Sequence, residues 1–114
     1  MSLRPAAVAL AAALAAGGAS SASAAPVEAK ALFLENCATC HGESGKADTD
    51  LGARYMAADF TSDEFHKEFT SQAKVKKVIR SGVPDTKMKA WKGILSDAEV
   101  DALAKYVLEL SRKK

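Results

Sequence analysis

Apolar positions recur at helical intervals in three stretches of this chain, and nowhere do they alternate as a half-buried strand would require. The clearest stretch is near the C-terminal end. Val100, Leu103, Val107 and Leu110 fall on one stripe there, with Ala104 and Tyr106 alongside. Ser96-Asp97-Ala98-Glu99 precedes that stripe in the form of a capping box, so the best-defined helix should open at this point. Upstream, Val75, Val78 and Ile79 form a second stripe, with Ser71 placed to cap it and Gly82 and Pro84 placed to end it. The third runs from Pro26 to Asn36, with Leu32 and Phe33 as its apolar pair. Thr61-Ser62-Asp63-Glu64 reads as another capping box, Thr61 capping and Glu64 reaching back. A short helix through Phe69 should follow it, with Phe65 and Phe69 on one face.

Two segments lack such a pattern. Gly42 to Asp59 reads as irregular, because Gly42, Gly45 and Gly52 are interspersed with Ser and Asp. Val83 to Ile94 reads as an extended loop containing Met88 and Trp91. No internal repeat is visible. The expectation is a small, loop-rich, all-α domain.

The first residues follow a different logic. Arg4 supplies a positive charge, Ala6 to Ala16 form a short alanine-rich apolar run, and Ala22-Ser23-Ala24 offers a small-residue cleavage site. Residues 1–24 therefore read as a secretory signal peptide and 25–114 as one domain. The apolar run is too short and too weakly hydrophobic for a membrane span, and no Cys follows the small residues to carry a lipid. The expected location is periplasmic, with no stable membrane insertion after cleavage. A domain of this size has only a marginal core of its own.

Charge changes the picture through its distribution. The net charge is only +2, yet Glu43 to Glu68 holds seven acids and three bases, whereas Lys74 to Lys92 holds seven bases and only Asp85. A basic face in the second half follows, suited to acidic partner surfaces. No feature points to nucleic acid.

Five residues carry the chemistry. Cys37-Ala38-Thr39-Cys40-His41 is a C-x-x-C-H motif, the form of a covalent haem c attachment site. Each thiol would add to a haem vinyl group and His41 would ligate the iron, the spacing bringing both sulfurs to one side of a helical turn. A bare C-x-x-C also suits a thioredoxin-like redox pair or half of a zinc site. The first needs strands alternating with helices, which the pattern lacks. The second needs four ligands, and Cys37, Cys40, His41 and His66 are poorly spaced for it.

Helix, haem motif, long loop, helices, Met-bearing loop and terminal amphipathic helix together resemble the class I monohaem cytochromes c, over essentially all of 25–114. Ala29 and Phe33 match that family's first helix, Leu103 and Tyr106 its last, and Gly82 to Ser96 its Met loop. The resemblance implies three to five short helices wrapped around one covalently bound haem c. The first and last helices would cross at nearly a right angle. It also implies Met88 as the second axial ligand opposite His41; Met56 and His66 are the competing donors. His/Met ligation raises the reduction potential and fills the sixth position. Many relatives have a proline soon after the haem motif whose carbonyl holds the ligand histidine. This chain has none between His41 and Pro84, so another backbone carbonyl, in the Gly52 region, should take its place.

The function so implied is a soluble periplasmic one-electron carrier, monomeric, shuttling between respiratory or photosynthetic complexes. It would not be an enzyme. Lys87, Lys89 and Lys92 would ring the exposed haem edge for docking; Arg54, Tyr55 and Lys74 would reach the propionates, and Trp91 would pack against the haem or close the Met loop. Two alternatives remain: a haem-based sensor with a labile or open sixth position, and a dedicated cytochrome subunit of a larger oxidoreductase.

Overall fold

The computed structural model describes Leu3 and residues 26–113, so the expected signal peptide lies outside the described residues. Among the described residues six helices follow one another: α1 (Ala29–Asn36), α2 (Ala38–His41), α3 (Asp50–Tyr55), α4 (Asp63–Glu68), α5 (Gln72–Ser81) and α6 (Asp97–Ser111). Among the described residues there is no strand, only an isolated bridge between Lys92 and Leu95. The all-α reading holds, with one helix more than the expected range.

Helix α6 is the spine. Its stripe buries Val100, Leu103, Val107 and Leu110, and Ala104 is fully buried beside them. The capping box at its start is complete: Ser96 Oγ accepts from Glu99 N–H at 3.1 Å, and Glu99 Oε1 accepts from Ser96 N–H at 2.9 Å. Helices α1 and α5 both pack on α6. From α1, Phe33 is fully buried with its ring 5.3 Å from that of Tyr106. From α5, Val75 and Ile79 enter the core while Val78 is half-buried. Outside the core, Lys76 and Arg80 pair with Asp101 and Asp97 of α6.

Two expectations need correcting. The segment expected to be irregular contains α3, capped by Thr49, whose hydroxyl accepts from Gly52 N–H at 2.8 Å. A six-residue helix has no room for a stripe, and its N3 position is glycine, so neither usual signal was present. The second concerns α4, which Ser62 caps rather than Thr61, by accepting from Phe65 N–H. The Asp59 carboxylate takes both the Thr61 N–H and hydroxyl, at 2.8 and 2.7 Å, and thereby removes Thr61 from the capping position.

Candidate functional site

The haem motif begins where α1 ends. Cys37 N–H still donates to Phe33 carbonyl at 2.8 Å, and its own carbonyl receives Cys40 and His41 N–H groups, so the motif coils as the short helix α2. Gly42 then leaves the helix at φ 76°, which a side chain would resist, and Ala47 N–H bonds to His41 carbonyl at 2.7 Å to close the turn. Both Cys37 and Cys40 are free thiols, half-buried. Burial pushes the Cys37 thiol up to about 11. Catalytic C-x-x-C pairs are tuned in the opposite sense, toward thiolate, so the thioredoxin-like reading has no support here.

His41 is fixed on two sides. Its Nδ1 donates to Ala58 carbonyl at 3.1 Å, in the tautomer that places the proton there, and its ring stacks on Phe60 at 4.7 Å. The carbonyl expected near Gly52 is thus Ala58. The Gly52 carbonyl is instead taken by Ala57 N–H at 2.9 Å. Burial holds the His41 imidazole below its ordinary value, against the upward pull of the Ala58 bond. The neutral ring is thereby favoured, with Nε2 bearing a lone pair and no hydrogen-bond partner among the described residues, which is the form that ligates iron.

Phe60 carries this arrangement into the core. Its ring meets Phe33 edge-on at 6.1 Å and Phe65 at 5.1 Å, and its N–H bonds to Gly45 carbonyl at 2.8 Å. Phe69 lies tilted against Phe65 at 4.6 Å, so Phe60, Phe65 and Phe69 form one continuous cluster.

The three possible sixth-position donors are placed very differently. His66 donates through Nε2–H to Ser111 carbonyl, 2.9 Å away, and so is engaged at the C-terminal end of α6. Met56 is 89 % exposed at the left-handed end of α3. Met88 is half-buried in a tightly tied loop. Its carbonyl accepts from Val83 N–H at 3.0 Å and its N–H donates to Thr86 Oγ1 at 3.1 Å. Trp91 and Lys92 N–H groups bond back to Ile79 and Arg80 carbonyls on α5. At Gly82 an added Cβ would sit 2.6 Å from both Met88 carbonyl oxygen and Ala90 nitrogen, so the loop closes directly on that glycine. Lys87 and Lys89 are exposed, their Nζ atoms 5.7 Å from the Tyr55 ring and 4.4 Å from the Trp91 ring.

A covalently held haem fits this donor set. Among the described residues no three His, Cys, Asp or Glu side chains converge as a protein-only metal site would need. Two uncrosslinked thiols one helical turn apart and a neutral, pre-oriented imidazole suit instead a cofactor that brings its own equatorial nitrogens. The helical fold and the motif at the end of its first helix define a small c-type cytochrome, a protein of electron transfer with one covalently bound haem c.

The comparisons agree. The family description "Cytochrome C oxidase, cbb3-type, subunit III" matches residues 24–107, and the chain belongs to this family. It is 31% identical over 83 residues to the cbb3-type cytochrome c oxidase subunit FixP of Bradyrhizobium diazoefficiens. To FixP of Azorhizobium caulinodans it is 34% identical over 76 residues. These alignments take in 73% and 67% of this chain but only 27% and 24% of the relatives, so the chain spans about a quarter of their length. Among solved structures, the KustC0563 c-type cytochrome is similar with a TM-score of 0.65 and 33% identity, covering 74% of this chain and 98% of that one.

Proposed function

We propose that this chain is an exported one-electron carrier whose haem c is bound through Cys37 and Cys40 and whose iron is ligated by His41 and Met88. The observation that carries the reading is the pairing of a pre-oriented His41 with a Met88 loop fastened to α5 by backbone hydrogen bonds. A loop so held favours permanent ligation over the labile or open sixth position that a sensor requires. With sulfur in that position the iron exchanges electrons and does not bind substrate. Export is supported by residues 1–24 and by the class, whose haem is attached outside the cytoplasm; among the described residues no helix is long and apolar enough to cross a membrane.

The partners we assign are redox proteins with acidic docking surfaces, met by Lys87, Lys89 and Lys92 and steered electrostatically. A second reading rests on the relatives: FixP is a subunit of an oxidase, and this chain would then be a dedicated electron-input subunit. Copurification with a stoichiometric partner would select that reading, and a monomer in the periplasmic fraction would select the carrier.

Ligation is tested by the ferric absorption spectrum, which in a His/Met haem contains a weak far-red sulfur-to-iron band. Met88→Ala should abolish the band and Met56→Ala should leave it intact. A band that survives Met88→Ala would remove Met88 from the site.

A further inference from the structure

Beyond the ligands themselves, the site is held by a hydroxyl that neither the motif nor the family resemblance points to. Helix α2 is only one turn long, so its last carbonyls have no intrahelical donors. Ala38 carbonyl receives Gly42 N–H, and His41 carbonyl receives Ala47 N–H. The carbonyls of Thr39 and Cys40, between them, are reached by no backbone N–H among the described residues. Thr49 Oγ1 reaches both, at 2.7 Å to Thr39 and 3.2 Å to Cys40. The same oxygen accepts from Gly52 N–H at 2.8 Å and so caps α3. Gly52 completes the contact, since any side chain there would strike the Cys40 carbonyl. One hydroxyl thus joins the start of α3 to the turn that bears Cys40 and His41.

We propose that Thr49 is a positioning residue for the haem-bearing turn, setting the orientation of His41 by anchoring the Thr39 and Cys40 carbonyls to α3. The inference rests on the reading of His41 as the iron's ligand. Thr49 touches neither ring nor thiol and acts through the backbone. His41 is held from the other side by Ala58 carbonyl, which follows α3 in the chain, so α3 fixes both the turn and the carbonyl that the imidazole meets. If the turn drifts, the Nδ1–H···O bond to Ala58 weakens. The imidazole then donates less electron density to iron, which disfavours the ferric state.

The test uses the haem-loaded protein and three substitutions. Thr49→Val keeps the branched shape and removes the hydroxyl; Thr49→Ser keeps the hydroxyl. Ser71→Ala removes a cap of the same kind from the start of α5, at the opposite end of that helix from the carbonyls that anchor the Met88 loop, and controls for lost stability alone. Reduction potentials are measured by spectroelectrochemistry and melting temperatures by circular dichroism. The expected result is a higher potential for Thr49→Val, restored by Thr49→Ser, with Ser71→Ala lowering the melting temperature and leaving the potential unmoved. An unchanged potential in Thr49→Val, or an equal shift in Ser71→Ala, would overturn the assignment. Should Thr49→Val not accumulate with haem, Thr49→Ala against Thr49→Ser makes the same comparison. Failure of the underlying reading looks different: His41→Ala would then leave the haem spectrum and potential of the loaded protein unchanged, whereas a spectrum altered by His41→Ala with an unmoved potential in Thr49→Val sinks the Thr49 role alone.

Discussion

Replacing Phe60 by alanine should be the most damaging single change near the haem turn that leaves every proposed ligand in place. The ring is 5 % exposed and contacts three other rings, Phe33 at 6.1 Å, Phe65 at 5.1 Å and His41 at 4.7 Å. Truncating a buried Phe costs roughly 3–5 kcal/mol, the spread reflecting how far the site can collapse. Collapse is restricted here, because Gly45 backs onto the ring: a Cβ built there lies 2.6 Å from Phe60 Cδ2. Each aromatic pair adds about 0.5–1.5 kcal/mol beyond area. The expected loss is therefore at least the middle of the range, about 4 kcal/mol. At some 4–8 °C per kcal/mol for a domain of this size, the melting temperature should fall by roughly 16–32 °C. Phe60→Leu, which retains most of the volume, should lose about 1.5 kcal/mol or less. Thermal denaturation of the haem-loaded proteins, followed by circular dichroism and by Soret absorbance, reads both effects. A loss below about 1.5 kcal/mol for the alanine variant would refute the argument, since it would mean that Phe60 is not the link between His41 and the core.

Gly82→Ala places a methyl group against Met88 carbonyl and Ala90 nitrogen at a backbone φ of 66°, so the Met88 loop must move. The far-red band should weaken or vanish in that variant while haem remains covalently attached; an undiminished band would show that the loop does not depend on this close approach. Ser96→Ala removes half of the α6 capping box and should cost about 1 kcal/mol, or some 4–8 °C. Its effect should be the same in oxidised and reduced protein, because Ser96 has no contact with the haem turn.

What the sequence made legible was local. The α6 stripe and its capping box lie within fifteen consecutive residues, and both appear in the structure as read. The C-x-x-C-H turn is equally local, so the proposed thioether sites and the proximal ligand follow from adjacent letters. The errors came where the deciding partner is elsewhere. Thr61 and Ser62 are both competent caps, and only the position of the Asp59 carboxylate excludes the first. Helix α3 has no stripe and ends on Met56 at φ 55°; it exists because its first turn packs on the carbonyls of α2. A backbone carbonyl for His41 was foreseeable from the missing proline, but its identity as Ala58 depends on how 42–58 folds across seventeen residues.

The same division separates the two sides of the iron in the proposed ligation. On the His41 side the cofactor is tied by a single turn of chain, and its supports, Thr49, Ala58 and Phe60, all fall within twenty residues of the motif. On the Met88 side nothing local suffices. The loop is anchored to the carbonyls of Ile79 and Arg80, α5 is itself held by its apolar stripe on α6, and Arg80 and Lys76 bridge to Asp97 and Asp101. Placement of the sulfur therefore depends on the α5–α6 interface, thirty residues and more beyond the haem motif. Loss of that packing should release Met88 before it disturbs His41, because the covalent thioethers keep His41 beside the iron whatever the rest of the domain does. If Met88 ligates as proposed, what would keep the sixth position closed is thus the packing of the C-terminal half.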